Sequence, residues 1–246
     1  MSKKNAKILM LVEGAKTDVK LMKHLLDVYG ISSNHEIVSY NTNIYTLYKE
    51  MFYDNDPDSI DLLQLLKSRE SDENKKALFD EYYSDILLIF DLDPQDREFS
   101  ADKILKMKNY FTESSDMGKL YLNYPMVEAF YHLKNIPDEE YNERVVTMQE
   151  LKKRAYKTRV NCDNRNHDYS KFAVTRDECN IVIKQNIIKG NIINSNPSYV
   201  NLPDEYCVLE KQLEYLEYEQ KLYVLCTCVY YISDYNPKLI DKGNCL

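Results

Sequence analysis

The run from Asp85 to Pro94 constrains the fold more than any other part of the sequence. Five consecutive apolar residues, 86–90, are followed by Asp91, Leu92 and Asp93 before the proline. A short apolar run without polar alternation is typical of a strand that is buried on both faces, as in a parallel sheet. Such a sheet needs helices to cover it. The run therefore predicts an α/β fold.

Other strand and helix patterns alternate along the first 135 residues. We predict strands at 7–13, 37–40, 85–94 and 119–124, and helices at 17–29, 44–52, 59–66 and 101–111. Thr17 is the predicted N-cap of the first helix and Gly30 its stop. Pro125 is placed to open the helix after the last of these strands. The alternation predicts a mainly parallel sheet with right-handed crossovers and helices on both faces.

The strand signal fades after residue 135, so residues 136–246 are predicted to form a mostly helical C-terminal region. The last helix is predicted over 204–233, because apolar residues such as Leu209, Leu216 and Val229 recur on one face. We therefore divide the chain into a domain at 1–135 and a helical region at 136–246.

Composition excludes several classes of protein. The chain has five glycines, too few for a Walker-type loop or a G-x-G-x-x-G turn, which need paired glycines near phosphate. The six cysteines all lie at or after residue 162, and no signal-peptide pattern opens the chain, which favours a reducing, cytoplasmic location. The apolar stretch at 222–232 is interrupted by polar residues and is shorter than the roughly 18 apolar residues that a membrane span needs. No membrane association is predicted.

Acidic residues follow three of the predicted strands. Glu13 ends the first strand, Asp91 and Asp93 end the third, and Glu128 lies in the first turn after the fourth. Ligands of open parallel sheets bind beyond the carboxyl ends of the strands. Because Asp91 and Asp93 are two residues apart, an extended backbone would direct both side chains to one face. Clustered carboxylates repel one another unless a cation neutralises them, and Mg²⁺ suits a sparse set of oxygen ligands.

The positive charge of this acidic chain is concentrated in one segment. The net charge is -8, yet residues 144–190 carry a net charge of +6 and the remainder of the chain a net charge of -14. This segment is a candidate phosphate-binding surface. Its candidate nucleic-acid-binding residues are Lys152, Lys153, Arg154, Lys157 and Arg159. Its aromatic residues, Tyr156, Tyr169 and Phe172, are candidates for stacking on bases.

The segment Val12-Glu13-Gly14-Ala15-Lys16-Thr17-Asp18, together with Asp91-Leu92-Asp93 at the end of an apolar strand, resembles the glutamate and D-x-D motifs of the Toprim domain. The glutamate-glycine followed by Thr-Asp is most similar to stand-alone Toprim and OLD-type nucleases of bacterial anti-phage defence, such as the RloB-like and PARIS effector groups. The resemblance covers about residues 7–130. It implies a Toprim-like, Rossmann-like sheet.

The resemblance also implies residue roles and partners. Glu13 would act as general base or metal ligand, and Asp91 and Asp93 would hold Mg²⁺, with Mn²⁺ as a substitute. Asp18 matches the second acid of the first motif in type, and Glu128 is an accessory acid on its position alone. The implied activity is metal-dependent cleavage of DNA or RNA, tRNA included, in phage defence. A separate ATPase subunit is an implied partner, because this chain has no ATPase motif.

Three other interpretations remain open from the sequence. The D-x-D motif is also found at aspartyl-phosphate sites of phosphotransfer enzymes, although there it closes the first strand. A Toprim-like scaffold without catalysis could bind a partner protein through its C-terminal helices, and the chain could form a homo-oligomer. Cys162, His167 and Cys179 are weak zinc candidates, because no C-x-x-C pair accompanies them. Cys162, Cys179, Cys226 and Cys228 are predicted to be free core thiols, the last two on a helix and pointing to different faces.

Overall fold

The computed structural model of the chain describes residues 7–53, 56–197 and 201–240. Within these residues, the main sheet has five strands in the order β2-β1-β3-β5-β4. The strands are β1 (Lys7–Val12), β2 (His35–Ser39), β3 (Tyr83–Asp91), β4 (Thr112–Glu113) and β5 (Gly118–Asn123). The pairings among β1, β2, β3 and β5 are parallel, and only β4 runs antiparallel to its neighbour. The prediction of a mainly parallel α/β sheet is therefore confirmed.

Helices flank this sheet and make up most of the C-terminal part. The α-helices in the described ranges are α1 (Thr17–Tyr29), α2 (Ile44–Phe52), α3 (Leu62–Arg69), α4 (Glu73–Lys76), α5 (Ala101–Tyr110), α6 (Met148–Lys152), α7 (Tyr156–Asp163), α8 (Arg176–Ile193), α9 (Glu205–Glu219) and α10 (Tyr230–Tyr235). A small antiparallel sheet pairs β6 (Val145–Thr147) with β7 (Lys221–Tyr223). Across the described residues, no helix combines the length and the apolar character that a bilayer span requires.

The central strands carry apolar residues on both faces. Every residue of β1 after Lys7 is buried, and so are the last five residues of β3. Helix α1 covers part of this sheet with the apolar side chains that its sequence repeats at helical spacing, including Leu21, Leu25 and Leu26. Gly30 ends α1 in the left-handed conformation, with φ 68°, where a side chain would be strained. The predicted glycine stop is confirmed.

The C-terminal part packs against the same core as the sheet. Tyr124, just after β5, forms an isolated antiparallel bridge with Leu225, and each residue donates its N–H to the other's carbonyl at 2.8 Å. Buried residues from both parts, such as Leu122 and Val229, belong to one apolar cluster. The C-terminal part thereby reaches the carboxyl edge of the main sheet.

Several local predictions were wrong. Thr17 is the first helical residue rather than the N-cap, which is Lys16 and makes no side-chain cap bond. Pro125 does not open an α-helix: it follows a cis peptide bond and precedes a 3₁₀-helix at Val127–Tyr131. The single helix predicted over 204–233 is divided into α9, β7 and α10, because Gln220 adopts a left-handed conformation that ends α9.

Candidate active site

The candidate site lies at the carboxyl edge of the main sheet, where the strand order reverses. From β1 the chain crosses to β2 on one side, whereas β3 and then β5 lie on the other side. Such a switch point leaves a crevice beyond the strand ends, where ligands of open α/β sheets bind. Glu13 follows β1 directly and donates its N–H to the carbonyl of Ile89 in β3 at 3.0 Å. Asp91 is the last residue of β3 and pairs with Asn123 of β5.

A cavity of about 850 Å³ opens at this edge. Its lining contains all five predicted acids, Glu13, Asp18, Asp91, Asp93 and Glu128. Two of the predicted nucleic-acid-binding residues, Arg154 and Lys157, line it as well. The structure therefore brings the acids of three loops together with two cations from the C-terminal part. We call these five acids the acid cluster.

Asp91 is held firmly at the floor of the cavity. Its Oδ1 accepts the backbone N–H of Val127 at 2.8 Å and the side-chain amide of Asn123 at 3.3 Å. Its own backbone N–H donates to Oε2 of Glu13 at 3.2 Å. Because these bonds come from three neighbouring segments of the chain, they fix the Asp91 carboxylate relative to Glu13.

Asp93 reaches the cavity by a different route from the one the sequence predicts. Its φ is +40°, in the left-handed region, so the backbone is not extended there and β3 has already ended. Its N–H donates to the carbonyl of Pro125 at 3.1 Å, and the side-chain amide of Gln95 donates to its Oδ1 at 2.9 Å. A non-glycine residue at positive φ stores strain that the surrounding bonds must hold in place.

Asp18 and Glu128 face the cavity from a helix start and from the 3₁₀-helix. A Cβ added to Gly14 would lie 2.6 Å from Oδ2 of Asp18, so a larger residue at position 14 would displace this carboxylate. Nζ of Lys157 forms an ion pair with Oε1 of Glu128 at 2.9 Å. Two buried carboxylate oxygens, Oδ1 of Asp18 and Oε2 of Glu128, have no hydrogen-bond partner. Unpartnered buried oxygens of this kind are costly unless a ligand satisfies them.

Burial and mutual repulsion raise the pKa values of four of the acids. Burial, together with the charge of Asp93, raises the pKa of Glu13 to about 8. Burial raises the pKa of Asp18 to about 6, with Glu128 adding to the effect. The pKa of Asp91 lies well above its usual range, because it is buried beside Glu13 and Asp93, and burial also raises the pKa of Asp93. Perturbed carboxylates that share a cleft are typical of functional sites.

The donor set of the cavity fits a hard divalent cation. Carboxylate oxygens are the ligands that Mg²⁺ takes in proteins, and two of them here lack any partner. No three Asp, Glu, His or Cys side chains converge as ligands of one metal ion within the described residues. Mg²⁺ usually binds through one or two carboxylates and completes its shell with water and substrate phosphate. The residues therefore fit Mg²⁺ held by one or two carboxylates.

The predicted basic surface is only partly available to a ligand. Lys152, Lys153, Arg154 and Lys157 are exposed, although Lys157 also pairs with Glu128 at 2.9 Å. Arg159 instead pairs with Glu150 at 2.7 Å and donates to the carbonyl of Val145, so its charge is used within the fold. Elsewhere in the segment, Arg144 and Lys189 are buried. The local excess of positive charge therefore overstates the surface that could meet phosphates.

The structure also sorts the three aromatic residues of that segment. Tyr156 lines the cavity, but Tyr156 and Phe172 are each only 1% exposed, so neither offers a ring face to a base. Tyr169 is partly exposed and stacks on Tyr131. Tyr156 and Phe172 were wrong predictions because their spacing in a basic segment carries no information about burial.

Sequence reasoning missed several residues of the cavity. Lys16, Gln95, Asp96 and Arg97 line it, and each follows a strand end within a few residues. The same positional rule that selected Glu13 and Asp91 would have found them. Asn123, which supports Asp91, gave no such signal, because it lies within a strand and acts through a neighbouring strand.

Cys226 and Cys228 lie beside Asn123 and are not on a helix. They follow β7 in irregular structure, their Sγ atoms lie 3.3 Å apart, and both are buried free thiols. Oδ1 of Asn123 accepts the Cys228 N–H at 3.3 Å and the Cys226 thiol at 3.5 Å. The prediction of free core thiols is confirmed for Cys179, Cys226 and Cys228 but wrong for Cys162, which is free and exposed. The predicted helical placement of Cys226 and Cys228 on opposite faces was also wrong.

Comparison with known proteins identifies no relative. No protein-family model matches the chain, and no curated protein or solved structure matches it. The functional interpretation therefore depends on the cavity and on the residues that line it.

Proposed function

We propose that the chain is a Mg²⁺-dependent nuclease that hydrolyses phosphodiester bonds at the acid cluster. The observation that carries this proposal is the convergence of five acids, two with unpartnered buried oxygens, beside exposed cations in one cavity. An acid cluster alone would repel a polyanion, and cations alone would bind one without cutting it. Their combination suits a substrate whose phosphate is both bound and attacked.

The residues divide into those that would hold the cation and those that would meet the substrate. By the Toprim resemblance Asp91 and Asp93 would hold Mg²⁺, which supplies Lewis-acid stabilisation of charge on a phosphoryl oxygen. The unpartnered oxygens of Asp18 and Glu128 are further candidate ligands. Glu13 adjoins Asp91 and would accept a proton from the attacking water. Arg154 and Lys157, on the cavity wall, would neutralise substrate phosphates.

The Toprim resemblance supports the same assignment. It selects Glu13, Asp91 and Asp93 from sequence motifs, and these residues lie at adjacent strand ends in one cavity. By that resemblance we further propose a Toprim-like sheet, a role in anti-phage defence and a separate ATPase partner. Cytoplasmic location is part of the same proposal.

A cleavage assay tests the proposed function. Plasmid DNA, single-stranded DNA and total tRNA are incubated with the wild type in Mg²⁺ and then in Mn²⁺. We expect Glu13→Gln and Asp91→Asn to lower cleavage by about 10²- to 10⁴-fold, the range for a positioned catalytic acid or base. Asp116→Asn is the matched control, because this exposed aspartate lies in the turn before β5, at the opposite edge of the sheet.

Two outcomes would contradict the proposal. Cleavage that survives in Glu13→Gln and Asp91→Asn would come from another site or from a contaminant. Absence of cleavage by the wild type, together with Mg²⁺ binding that the acid variants do not weaken, would favour a partner-binding scaffold. A covalent phosphoryl adduct at Asp91 would instead favour the aspartyl-phosphate alternative.

A further inference from the structure

A stacked pair of tyrosines lies next to the segment that carries Glu128, although neither tyrosine lines the cavity. The rings of Tyr131 and Tyr169 lie nearly parallel, at 6°, with their centroids 3.9 Å apart. Tyr131 is buried, whereas Tyr169 is partly exposed. One face of the Tyr169 ring is therefore covered by Tyr131, and its exposed area lies away from that contact.

The 3₁₀-helix Val127–Tyr131 connects this pair to the cavity wall. Side chains three residues apart eclipse one another on a 3₁₀-helix, so Glu128 and Tyr131 lie on the same side of it. Glu128 lines the cavity. Its charge also contributes, after burial, to the raised pKa of Tyr169. Tyr131 therefore lies about one 3₁₀ turn from Glu128, and the tyrosine pair lies beyond the residues that line the cavity.

The depth of the acids limits the kinds of strand that can reach them. Asp18, Asp91 and Glu128 are only 6%, 7% and 5% exposed, so a scissile phosphate must enter the recess to approach them. A duplex presents its phosphates on a stiff cylinder whose bases are stacked and paired. A single strand bends freely and can turn its unstacked bases toward aromatic side chains.

Exposed cations surround the entrance to the recess. Arg154 and Lys157 line the wall on the C-terminal side, and Lys16 lines it at the start of α1. Phosphates on either side of the scissile bond would therefore meet positive charge, and the partly exposed Tyr169, stacked on Tyr131, lies beyond the lining residues on the Glu128 side. This combination of a cationic groove and an aromatic platform is how proteins bind single strands without reading their sequence.

We infer that the site takes single-stranded nucleic acid, and that Tyr169 is a specificity-determining residue on which a base next to the scissile phosphate stacks. This inference rests on the proposed function, because it assigns the substrate class of the same cavity. Stacking uses the π-face that every base has, so it selects unpaired strands over duplexes rather than one base over another.

Binding measurements in a cleavage-deficient background test the inference. Fluorescein-labelled oligothymidylate and oligouridylate are titrated, in Mg²⁺, with Glu13→Gln protein, and fluorescence anisotropy reports binding. Tyr169→Leu, added to this background, should weaken both probes about fivefold or more, the lower end for loss of one stacked base. Tyr169→Phe should bind like the parent, because the ring face is retained. The two probes also separate DNA from RNA.

Three controls isolate the stacking contribution. An abasic oligonucleotide of equal length should bind equally to the parent and to Tyr169→Leu, since it has no base to stack. A blunt duplex should bind more weakly than the single strand. Tyr215→Leu, which removes a half-buried tyrosine of α9 in edge contact with Tyr223, should change nothing. Thermal unfolding of each variant shows whether the fold is intact.

The results separate this inference from the proposed function. Equal effects of Tyr169→Leu on the abasic and normal probes, or tighter binding of the duplex, would overturn the inference even if Glu13-dependent cleavage is found. Stacking-dependent binding of single strands would support it even if the wild type cuts no substrate, and only the proposed hydrolysis would then fail.

Discussion

Asp91 and Asp138 are both almost fully buried, at 7% and 3% exposure, but their surroundings differ. Oδ2 of Asp138 accepts from the Arg144 guanidinium and from the Lys134 N–H, both at 2.7 Å. Burial alone would raise the pKa of Asp138, but these bonds outweigh it and the pKa is lowered. Asp91 instead lies among like charges, which together with burial raise its pKa. The Asp138 carboxylate is paired with a cation within the fold, whereas the hydrogen bonds of the Asp91 carboxylate bring no positive charge to it.

The difference teaches how to tell structural from functional buried charge. Arg144, also buried, donates to Asp138 and to the carbonyl of His132, so the pair is complete. A complete buried pair contributes to the fold and has no further capacity to bind a ligand. The acid cluster keeps two buried oxygens without a partner. Unmatched charge, rather than burial itself, marks the site.

The largest expected effect on stability comes from breaking the complete pair. Arg144→Met leaves Asp138 buried without its cation, so we expect the free energy of unfolding to fall by about 3–5 kcal/mol. Asp91→Asn, in metal-free buffer, removes a repelled charge and should leave the free energy of unfolding equal or higher. Urea denaturation of both variants checks this. If Asp91→Asn lowers the free energy of unfolding as much as Arg144→Met does, the acid cluster does not differ from the Asp138–Arg144 pair in this respect.

A bound cation should stabilise the acid cluster, because two of its buried carboxylate oxygens lack a partner. Mg²⁺ at 100 times its dissociation constant should add about 2.7 kcal/mol to the free energy of unfolding, by mass action. The gain should vanish in Asp91→Asn, which alters the cluster, and persist in Asp116→Asn, which does not. Thermal unfolding with and without Mg²⁺ measures it. An equal gain in all three proteins would indicate binding elsewhere.

The stabilities contributed by the acid cluster and by the Asp138–Arg144 pair should also respond oppositely to pH. Glu13 and Asp18 have pKa values of about 8 and about 6 in the fold, above their ordinary 4.5 and 3.8. The native state therefore holds more protons than the unfolded chain between about pH 4 and pH 8, and their contribution to stability is lost as pH rises through this window. The pKa of Asp138 is instead lowered in the fold. Its contribution to stability is therefore present above the ordinary pKa of an aspartate and is lost only as the pH falls below that value.

Mg²⁺ should cancel the loss of stability on the alkaline side, because it favours the ionised acids. The stabilisation by Mg²⁺ should accordingly be larger at pH 8 than at pH 6, with protons released on binding. Calorimetry in two buffers of different ionisation enthalpy measures that release. Binding without proton release would contradict the raised pKa values.

Much of the fold follows from local patterns. The limits of α2 and the beginning of β1 are as predicted, because apolar periodicity and turn residues act over a few positions. The short strands β4, β6 and β7 were missed, since two or three residues carry too little pattern and their pairing partners lie far along the chain or across a turn. Gln220 ends α9 by adopting a left-handed conformation that its residue type does not signal.

The location of the site was predictable from the sequence, whereas its details were not. Glu13, Asp91 and Asp93 follow apolar strands, and the carboxyl ends of parallel strands meet by geometry. The positive φ of Asp93 and the support from Asn123 depend on contacts between segments. Whether a basic residue is exposed, like Lys152, or paired, like Arg159, also depends on tertiary structure.

The smallest expected effect is on the salt dependence of binding, and it compares unpaired with paired basic residues. Lys152 and Lys153 are exposed and make no ion pair with any described residue, whereas Arg159 pairs with Glu150. Replacing both lysines with alanine should reduce the slope of log affinity against log salt for a single strand by about 0.7 for each phosphate that the lysines neutralise. Arg159→Ala should leave the slope unchanged. Equal slopes in all variants would show that the lysines do not meet the strand.

Asn123 also has a consequence for the order in which the protein is made. Its amide supports Asp91, and its own Oδ1 accepts groups from Cys226 and Cys228. A nascent chain on the ribosome contains every acid of the cluster long before these cysteines are synthesised. The support of Asp91 is completed only when the chain has grown past residue 228. Assembly of this edge of the sheet must therefore wait for a segment that is made about 100 residues after the last acid of the cluster.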